Sequence, residues 1–483
     1  MKIAILGFGR EGHSILKFLQ KTRINADGNA DIRRYKNISE NLRKHRRESA
    51  LREIWVLDKN RNAKVPRGIK TQLGKNYLKN LERFDVIFRS PGIPYLLPEV
   101  QKAEKVGVKI SSATKLFFDE IEKRSRFGVR NPPTVIGITG TKGKGTTSTL
   151  LYKILKAAGK NVFLAGNIGL SMLEIIPRLS ALSLRKSAPI VILELSSFQL
   201  QDLKKSPHIA AVLDIFPDHL DAHKNLKEYY DAKANIGRYQ NPGDKIFFWG
   251  DNALSRKVAS KGKGKKMAVY PSALLRTGEK SFKLFSPEDL LVKGTHNFKN
   301  AVMAANIAES FGVPRKIILK TTRGFHGTKH RLELARRIIK NGREICFYND
   351  SASTNPQTAA AAVKAFPSED KILIAGGQDK NLDYKPLAKA LENSKTKLVI
   401  LFGENKKKIE KTIKRMKNSE LKIVRVNTLF QAIMFAYKFA KRLSIVHNSS
   451  FMVLFSPAAT SFDMFENYAD RGMKFKKIVK QLI

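Results

Sequence analysis

Short apolar runs, separated by polar segments that carry glycine, recur along the chain. Residues 2–6 (KIAIL), 53–57 (EIWVL) and 84–88 (FDVIF) read as buried strands, with a helix running to about Lys21 after the first. The pattern resumes at Val135–Ile138, at 190–193 (IVIL) and at 209–213 (IAAVL), with helices to about Ala158 and over 226–239. It returns at 344–348, 371–375, 398–402 and 451–455. Apolar strands alternating with helical segments predict open, parallel α/β sheets. Residues 22–52 are polar, basic and weakly periodic, which predicts an insertion, and 124–134 (RSRFGVRNPPT) reads as a linker. A second boundary is expected within 312–330. The expected architecture is therefore three α/β domains, 1–130, 131–327 and 328–483. Each places its distinctive residues just after strand ends, where open parallel sheets bind ligands.

Composition narrows the function. The 483 residues include 90 Lys+Arg and 42 Asp+Glu, a formal net charge of +48, and 42% are hydrophobic, enough for packed cores. Such a charge invites nucleic acid as a partner. Yet the densest basic runs, 256–266 and 405–417, carry no interleaved aromatic residues for base stacking, and no zinc-finger, basic-zipper or RNA-recognition pattern occurs. No specific nucleic-acid partner is expected. Cys346 stands alone, so no intrachain disulfide can form. The apolar start is broken by Gly7 and Gly9 and makes a poor signal peptide, and no run reaches the ~18 apolar residues of a membrane span. A cytoplasmic monomer without a membrane partner is expected.

Two glycine loops carry the candidate chemistry. Gly7-Phe8-Gly9-Arg10-Glu11-Gly12 is a G-x-G-x-x-G turn between a strand and a helix. With Asp58 ending the second strand, it would by itself suggest a nicotinamide dinucleotide and a dehydrogenase, although the gap to Asp58 exceeds the usual ~20 residues. The second loop is Gly140-Thr141-Lys142-Gly143-Lys144-Gly145-Thr146-Thr147. Its glycines let backbone N–H groups approach phosphate oxygens, a helix N-terminus follows, and Lys144 can reach the β- and γ-phosphates. It departs from the general phosphate-loop spacing, with Ile138 in place of the first Gly and Gly145 in place of Ser/Thr. Glu194 ends an apolar strand, where open parallel sheets place ligand-binding residues. Lys233 falls at helical spacing with Leu226, Tyr229/Tyr230 and Ile236, on an apolar stripe where burial favours the neutral amine, unless the side chain snorkels. Asp221 and His223 repeat a metal-like spacing with His219 but need not be ligands.

These motifs together resemble the Mur ligases and their folylpolyglutamate synthase relatives. Ile138–Lys144 is similar to that family's phosphate loop. Gly166-Asn167-Ile168-Gly169, Glu194–Leu200 (ELSSFQL), Asp218-His219-Leu220-Asp221 and His296–Ala301 follow in the family's order, as do His330–Glu333, Asn349-Asp350-Ser351, Gly376-Gly377 and Ser456-Pro457. The resemblance covers nearly the whole chain outside 22–52. Ser-Ser-Phe-Gln-Leu and the Ser461–Phe465 segment point to the branch that adds D-glutamate to UDP-N-acetylmuramoyl-L-alanine.

The resemblance implies a Rossmann-like UDP-binding domain, a central phosphate-loop ATPase domain and a Rossmann-like C-terminal domain. It implies an ATP- and Mg²⁺-dependent amide ligase of peptidoglycan precursor synthesis, working through an acyl phosphate. Gly140 to Thr147 would hold ATP, with Asn297 and Asn300 on the adenine and Arg331 and Asp350 reaching the γ-phosphate and ribose. Thr146, Glu194, His219 and a carbamylated Lys233 would hold Mg²⁺, and Lys144, Glu194, His219 and Lys233 form the catalytic set. Gly7, Gly9, Gly12, Asp58, Ser90, Pro91, Gly92 and Asn167 would hold the UDP-sugar. Thr354, Lys380, Ser461, Phe462 and Tyr468 would hold D-glutamate. Three positions depart from the branch: Ala352 replaces a lysine, and Phe462 and Tyr468 replace Leu and Phe. Near the uracil, Asp58-Lys59-Asn60 replaces Asp-Thr-Arg. The alternatives are a family ligase for a different amino acid and, from another class, the dehydrogenase.

Overall fold

The computed structural model describes residues 1–21, 53–126, 131–181, 187–217, 223–271, 285–292, 295–340, 342–380, 382–415, 421–446 and 449–482. The expected insertion at 22–52 and His219 with its neighbours 218–222 lie outside them. The described residues form three sheets in two compact units. The first unit is Met1–Asp289 with Thr295–Arg323, and the second is Leu290–Gly294 with Gly324–Ile483.

The first unit carries two parallel sheets. One consists of β1 (Lys2–Leu6), β2 (Glu53–Asp58), β3 (Lys70–Leu73), β4 (Val86–Arg89) and β5 (Lys109–Ser111), in the order β3-β2-β1-β4-β5. The order reverses beside β1, so the crevice lies at the C-terminal ends of β1 and β4. The other consists of β6 (Thr134–Thr139), β7 (Val162–Gly166), β8 (Ile190–Glu194), β9 (Ile209–Val212), β10 (Lys245–Trp249) and β11 (Lys265–Val269), in the order β11-β10-β9-β6-β8-β7. Its central strands are mostly apolar, as in a parallel sheet covered on both faces, and every residue of β8 is buried.

The expected linker at 124–134 is shorter than its composition suggested. Residues through Arg126 belong to the helix Ala113–Arg126, and Thr134 already opens β6. Arg124, an expected linker residue, is buried and donates to the carbonyl of Ile176 at 3.3 Å. Buried apolar side chains run continuously from the first sheet into the second, with Ile5, Leu116 and Phe117 in the same cluster as Leu173, Ile176 and Leu195.

The second unit holds β12 (Glu333–Lys340), β13 (Arg343–Asn349), β14 (Lys371–Gly376), β15 (Thr396–Phe402), β16 (Lys422–Arg425) and β17 (Phe451–Phe455), in the order β12-β13-β17-β14-β15-β16. All pairs are parallel except β12 with β13. That antiparallel edge strand (ELARRIIK) escaped the sequence reading because its arginines break the apolar run. Among the described residues, no helix is long and apolar enough to cross a membrane.

Candidate active site

β6 delivers the chain into the second glycine loop, and the helix Lys144–Ala157 leaves it. Gly143 sits at φ +84°, and a Cβ there would fall 2.1 Å from Asn300 Oδ1, so only glycine fits. Asn300, on the helix Thr295–Glu309, also accepts from the Thr147 hydroxyl at 3.3 Å. It thus packs against the loop itself. Lys144 folds back, its Nζ donating to the carbonyls of Gly140 (2.9 Å) and Thr141 (3.0 Å). The Thr141 hydroxyl meets Tyr229 Oη at 2.9 Å.

Glu194 ends β8, directly beside β6, and only 7% of it is exposed. A Cβ on Gly145 would lie 3.4 Å from Glu194 Oε2, so position 145 is the first-turn position that faces this carboxylate. Thr146, the expected hydroxyl donor, lies one residue on, about 100° round the helix. The backbone of Gly166-Asn167 also packs on Glu194, with Asn167 N–H donating to its carbonyl at 3.2 Å. This leaves the Asn167 side chain exposed beside the same strand end.

Lys233 lies on the helix Leu226–Arg238 with 2% exposure. Its Nζ donates to Gly140 O at 2.9 Å and sits 4.7 Å over the Tyr229 ring. It does not snorkel. Lys144 and Lys233 therefore meet on one carbonyl of the loop. His223 is wholly enclosed, with Nδ1 2.5 Å from Glu228 Oε2 and Nε2 2.9 Å from Ser197 Oγ. Both ring nitrogens are occupied, so His223 is not free to ligate a metal.

At the first sheet's crevice, Gly7 turns at φ +89°, and the Ser90 hydroxyl donates to its carbonyl at 2.6 Å. Asp58 accepts the Phe8 N–H at 2.5 Å and the Asn60 N–H at 2.7 Å, fastening β2 to the loop. A Cβ on Gly12 would strike Gly7 O at 2.4 Å, whereas Gly9 and Gly92 have open space beside them. Pro91 is half-buried between Ser90 and Gly92.

The second unit holds its own cluster. Asp350 is buried, accepts from Ser456 Oγ at 2.7 Å and from Leu332 N–H at 3.2 Å, and burial pushes its carboxyl up to about 7, with Arg331 among the opposing charges. Lys380 Nζ lies 5.6 Å over the exposed Phe462 ring, and Ser461 is buried next to it. Thr354 is half-buried and Tyr468 exposed. Ala352, where the branch has lysine, bonds by its N–H to His330 O at 3.0 Å.

The Mur ligase middle domain family matches residues 138–308, the stretch that carries the glycine loop, Glu194, Lys233 and Asn300. The UDP-N-acetylmuramoylalanine–D-glutamate ligase of Acetivibrio thermocellus is 35% identical over 100% of this chain and 96% of its own length. The ligase of the same name from Clostridium tetani is 32% identical over 100% and 97%. The chain belongs to the Mur ligase family. Solved structures agree on the fold. The UDP-N-acetylmuramoylalanyl-D-glutamyl-2,6-diaminopimelate–D-alanyl-D-alanyl ligase of Acinetobacter baumannii superposes with a TM-score of 0.54 at 18% identity, covering 77% of this chain and 81% of that one. The MurF ligase of Thermotoga maritima, in complex with ADP, gives 0.50 at 15% identity over 92% of each.

Within this Mur ligase, the structure brings Gly140, Thr141, Gly143, Lys144, Gly145, Thr147, Glu194, Asn167, Lys233 and Asn300 to one end of the second sheet. Lys142 is exposed on the same loop, and Asn297 lies one turn before Asn300 on its helix. Gly7, Asp58 and Ser90 converge at the first sheet's crevice. Sequence reasoning missed a buried ion pair. Arg89 and Asp202 lie 3.0 Å apart with side chains 1% and 4% exposed, and Arg89 also donates to Phe198 O at 3.2 Å. An arginine ending an otherwise apolar strand, just before Ser90, was the available signal.

Proposed function

We propose that this Mur ligase joins D-glutamate to UDP-N-acetylmuramoyl-L-alanine, in the cytoplasm and as a monomer, using ATP and Mg²⁺. The observation that carries the reading is the convergence of the glycine loop, Glu194 and Lys233 on one strand end, in a chain that matches D-glutamate ligases along its full length. The domains would be 1–130 for the UDP-sugar, 131–327 for ATP and 328–483 for the amino acid.

The chemistry follows from the charges. The L-alanyl carboxylate of the nucleotide substrate attacks the γ-phosphorus of ATP, forming the acyl–O–P bond as the bond to ADP breaks. The D-glutamate amine then attacks the acyl carbon, loses a proton, and expels inorganic phosphate. Both steps bring anions together, so the site needs cations. Lys144 exchanges its loop carbonyls for the β- and γ-phosphate oxygens, and the N–H groups of Gly140 to Thr147 line the same phosphates. Asn297 and Asn300 are the proposed contacts of the adenine. Arg331 and Asp350 are the proposed partners of the γ-phosphate and ribose.

Glu194 fits Mg²⁺, which takes one or two carboxylates and keeps water and phosphate as its other ligands. Thr146, His219 and Lys233, once carbamylated, complete the proposed donor set. Bound there, Mg²⁺ would neutralise developing phosphate charge. In the first sheet Gly7, Gly9, Gly12, Asp58, Ser90, Pro91 and Gly92 cradle the UDP, and Asn167 meets the acyl end of the sugar. Thr354, Lys380, Ser461, Phe462 and Tyr468 receive D-glutamate.

Phosphate release measured over a panel of amino acids and nucleotide precursors tests the reading. Release is expected only with UDP-N-acetylmuramoyl-L-alanine and D-glutamate together. Dependence on another amino acid would overturn the assignment, and release without the UDP-sugar would overturn the substrate class.

A further inference from the structure

We propose that His223 is a positioning residue that locks two metal-holding elements in register, bridging Ser197 on the Glu194 segment to Glu228 on the Lys233 helix. The inference rests on the reading of Glu194 and Lys233 as Mg²⁺ ligands.

The backbone of Glu194 is held by the sheet, with Leu195 N–H donating to Ile138 O at 2.9 Å and Asn167 N–H to Glu194 O at 3.2 Å, so what remains to be set is the Lys233 helix relative to it. Glu194 is the last residue of β8, and the chain beyond it turns into the four-residue helix Ser197–Leu200. Lys233 sits on a separate helix, Leu226–Arg238, whose far end is tied to the same segment by Asn235 Nδ2 donating to Leu200 O at 2.9 Å. His223 spans the gap. A carboxylate can only accept, so Nδ1 donates to Glu228 Oε2 at 2.5 Å, a short, charge-assisted bond. That leaves Nε2 of the neutral ring to accept the Ser197 hydroxyl at 2.9 Å.

The ring cannot rotate out of this geometry. Phe198 stacks on it at 5.1 Å and 11°, and the Tyr229 edge closes a second side at 5.2 Å. The other Glu228 oxygen is held by Gln201 Nε2 at 2.8 Å, so the carboxylate is fixed from both segments. Tyr229, the next residue on the helix, carries the hydroxyl that meets Thr141 of the glycine loop. The bridge thus sets how Lys233 approaches Gly140 relative to Glu194. A group that orients metal ligands from behind typically changes metal affinity about 10–100-fold when removed.

The test uses the full chain, Mn²⁺ as the probe, and a non-hydrolysable ATP analogue. Free Mn²⁺ is followed by electron paramagnetic resonance, and metal-free analogue binding is measured separately. Ser197→Ala and Glu228→Gln each weaken one side of the bridge, and His223→Gln removes the ring that joins them. If one variant fails to fold, as judged by circular dichroism, the other two still carry the test. The expected result is Mn²⁺ binding weakened about 10-fold or more, with analogue binding within about 2-fold of wild type. Unchanged Mn²⁺ binding in the folded variants would overturn the proposal. So would parallel weakening of metal and analogue, which would mean general loosening. Wild-type chain that binds Mn²⁺ with the analogue but releases no phosphate with D-glutamate would overturn the substrate reading and leave the bridge standing.

Discussion

Gly145 gives this ligase a site that one substitution should improve. It occupies the place where a phosphate loop ordinarily carries a hydroxyl, and the direction of its missing side chain points at Glu194. A Cβ built there meets Glu194 Oε2 at 3.4 Å and two Ile168 side-chain atoms at 3.9 Å, ordinary contacts that require no backbone shift. Gly145→Ser therefore adds an oxygen beside the carboxylate proposed to hold Mg²⁺. A preplaced hydroxyl that substitutes for one metal-bound water is worth about 1 kcal/mol, or roughly 5-fold in Mg²⁺ affinity. The serine should also favour the helix by up to about 0.5 kcal/mol over glycine, less in this first turn. The assay is the Mg²⁺ dependence of phosphate release, paired with thermal unfolding of the nucleotide-free chain. Gly145→Ala separates the effects, because it supplies the Cβ and the helix propensity without the hydroxyl. Half-maximal Mg²⁺ should fall about 5-fold in the serine variant only. An unchanged Mg²⁺ requirement in Gly145→Ser, or an equal change in Gly145→Ala, would refute the placement of the metal against position 145.

Three further outcomes are expected. Lys233→Ala should lose phosphate release about 10²–10³-fold, since a group facing developing charge is removed, and acetate should restore part of it; full activity would exclude a role for the lysine in the site. Glu120 is fully enclosed with Lys123 Nζ 3.6 Å from its Oε1, and burial pushes its carboxyl up to about 7 against the opposing charges of Lys123 and Arg124. A raised folded value means the native state holds the proton longer, so stability falls as pH rises from about 4.5 through about 7. Glu120→Gln should thus stabilise the chain at pH 8 by about 1–3 kcal/mol and hardly at pH 4, and a difference independent of pH would count against it. Asp202→Asn should cost about 3–5 kcal/mol in denaturant unfolding by leaving Arg89 charged and buried, whereas Arg89→Met with Asp202→Leu should recover much of that; an equal loss in single and double variants would deny the pair any coupling.

Much of the fold was legible because parallel sheets buried on both faces write uninterrupted apolar runs. The segments at 2–6, 190–193, 371–375 and 451–455 each lie within an observed strand. β12 was not legible, since an edge strand with one solvated face tolerates arginines in its middle. The linker was misjudged because Arg124 to Arg126 look like polar chain, and nothing local reveals that Arg124 reaches a carbonyl of another helix. In the site, residues bound by short spacing were readable: the glycine loop, Glu194 after its strand, and Lys233 on its apolar stripe. The bridge through His223 was not, because it joins positions 26 and 5 residues away through one ring. The facing of Gly145 on Glu194 likewise depends on β6 lying beside β8, a pairing that sequence order does not reveal.

The segment from Ser196 to Asp202 explains why the first two sheets share one unit. Glu11, in the first glycine loop, accepts from Gln199 Nε2 at 2.8 Å, and Arg10 of the same loop donates to Gly166 O. Arg89, just before Ser90, grips Phe198 O and Asp202, and Lys115 adds a second cation 2.6 Å from Asp202. Ser197 continues to His223 and the Lys233 helix. Apart from the Arg10 bond, these contacts tie residues of the first sheet's domain, or a proposed metal-holding helix, to residues within eight positions of Glu194. Attack of a carboxylate on a γ-phosphorus needs the nucleotide sugar and ATP aligned in line, and misplacement by about 1 Å costs on the order of 10²-fold. Placing both in one compact unit, fastened by these contacts and by a shared apolar core, meets that demand before either substrate arrives.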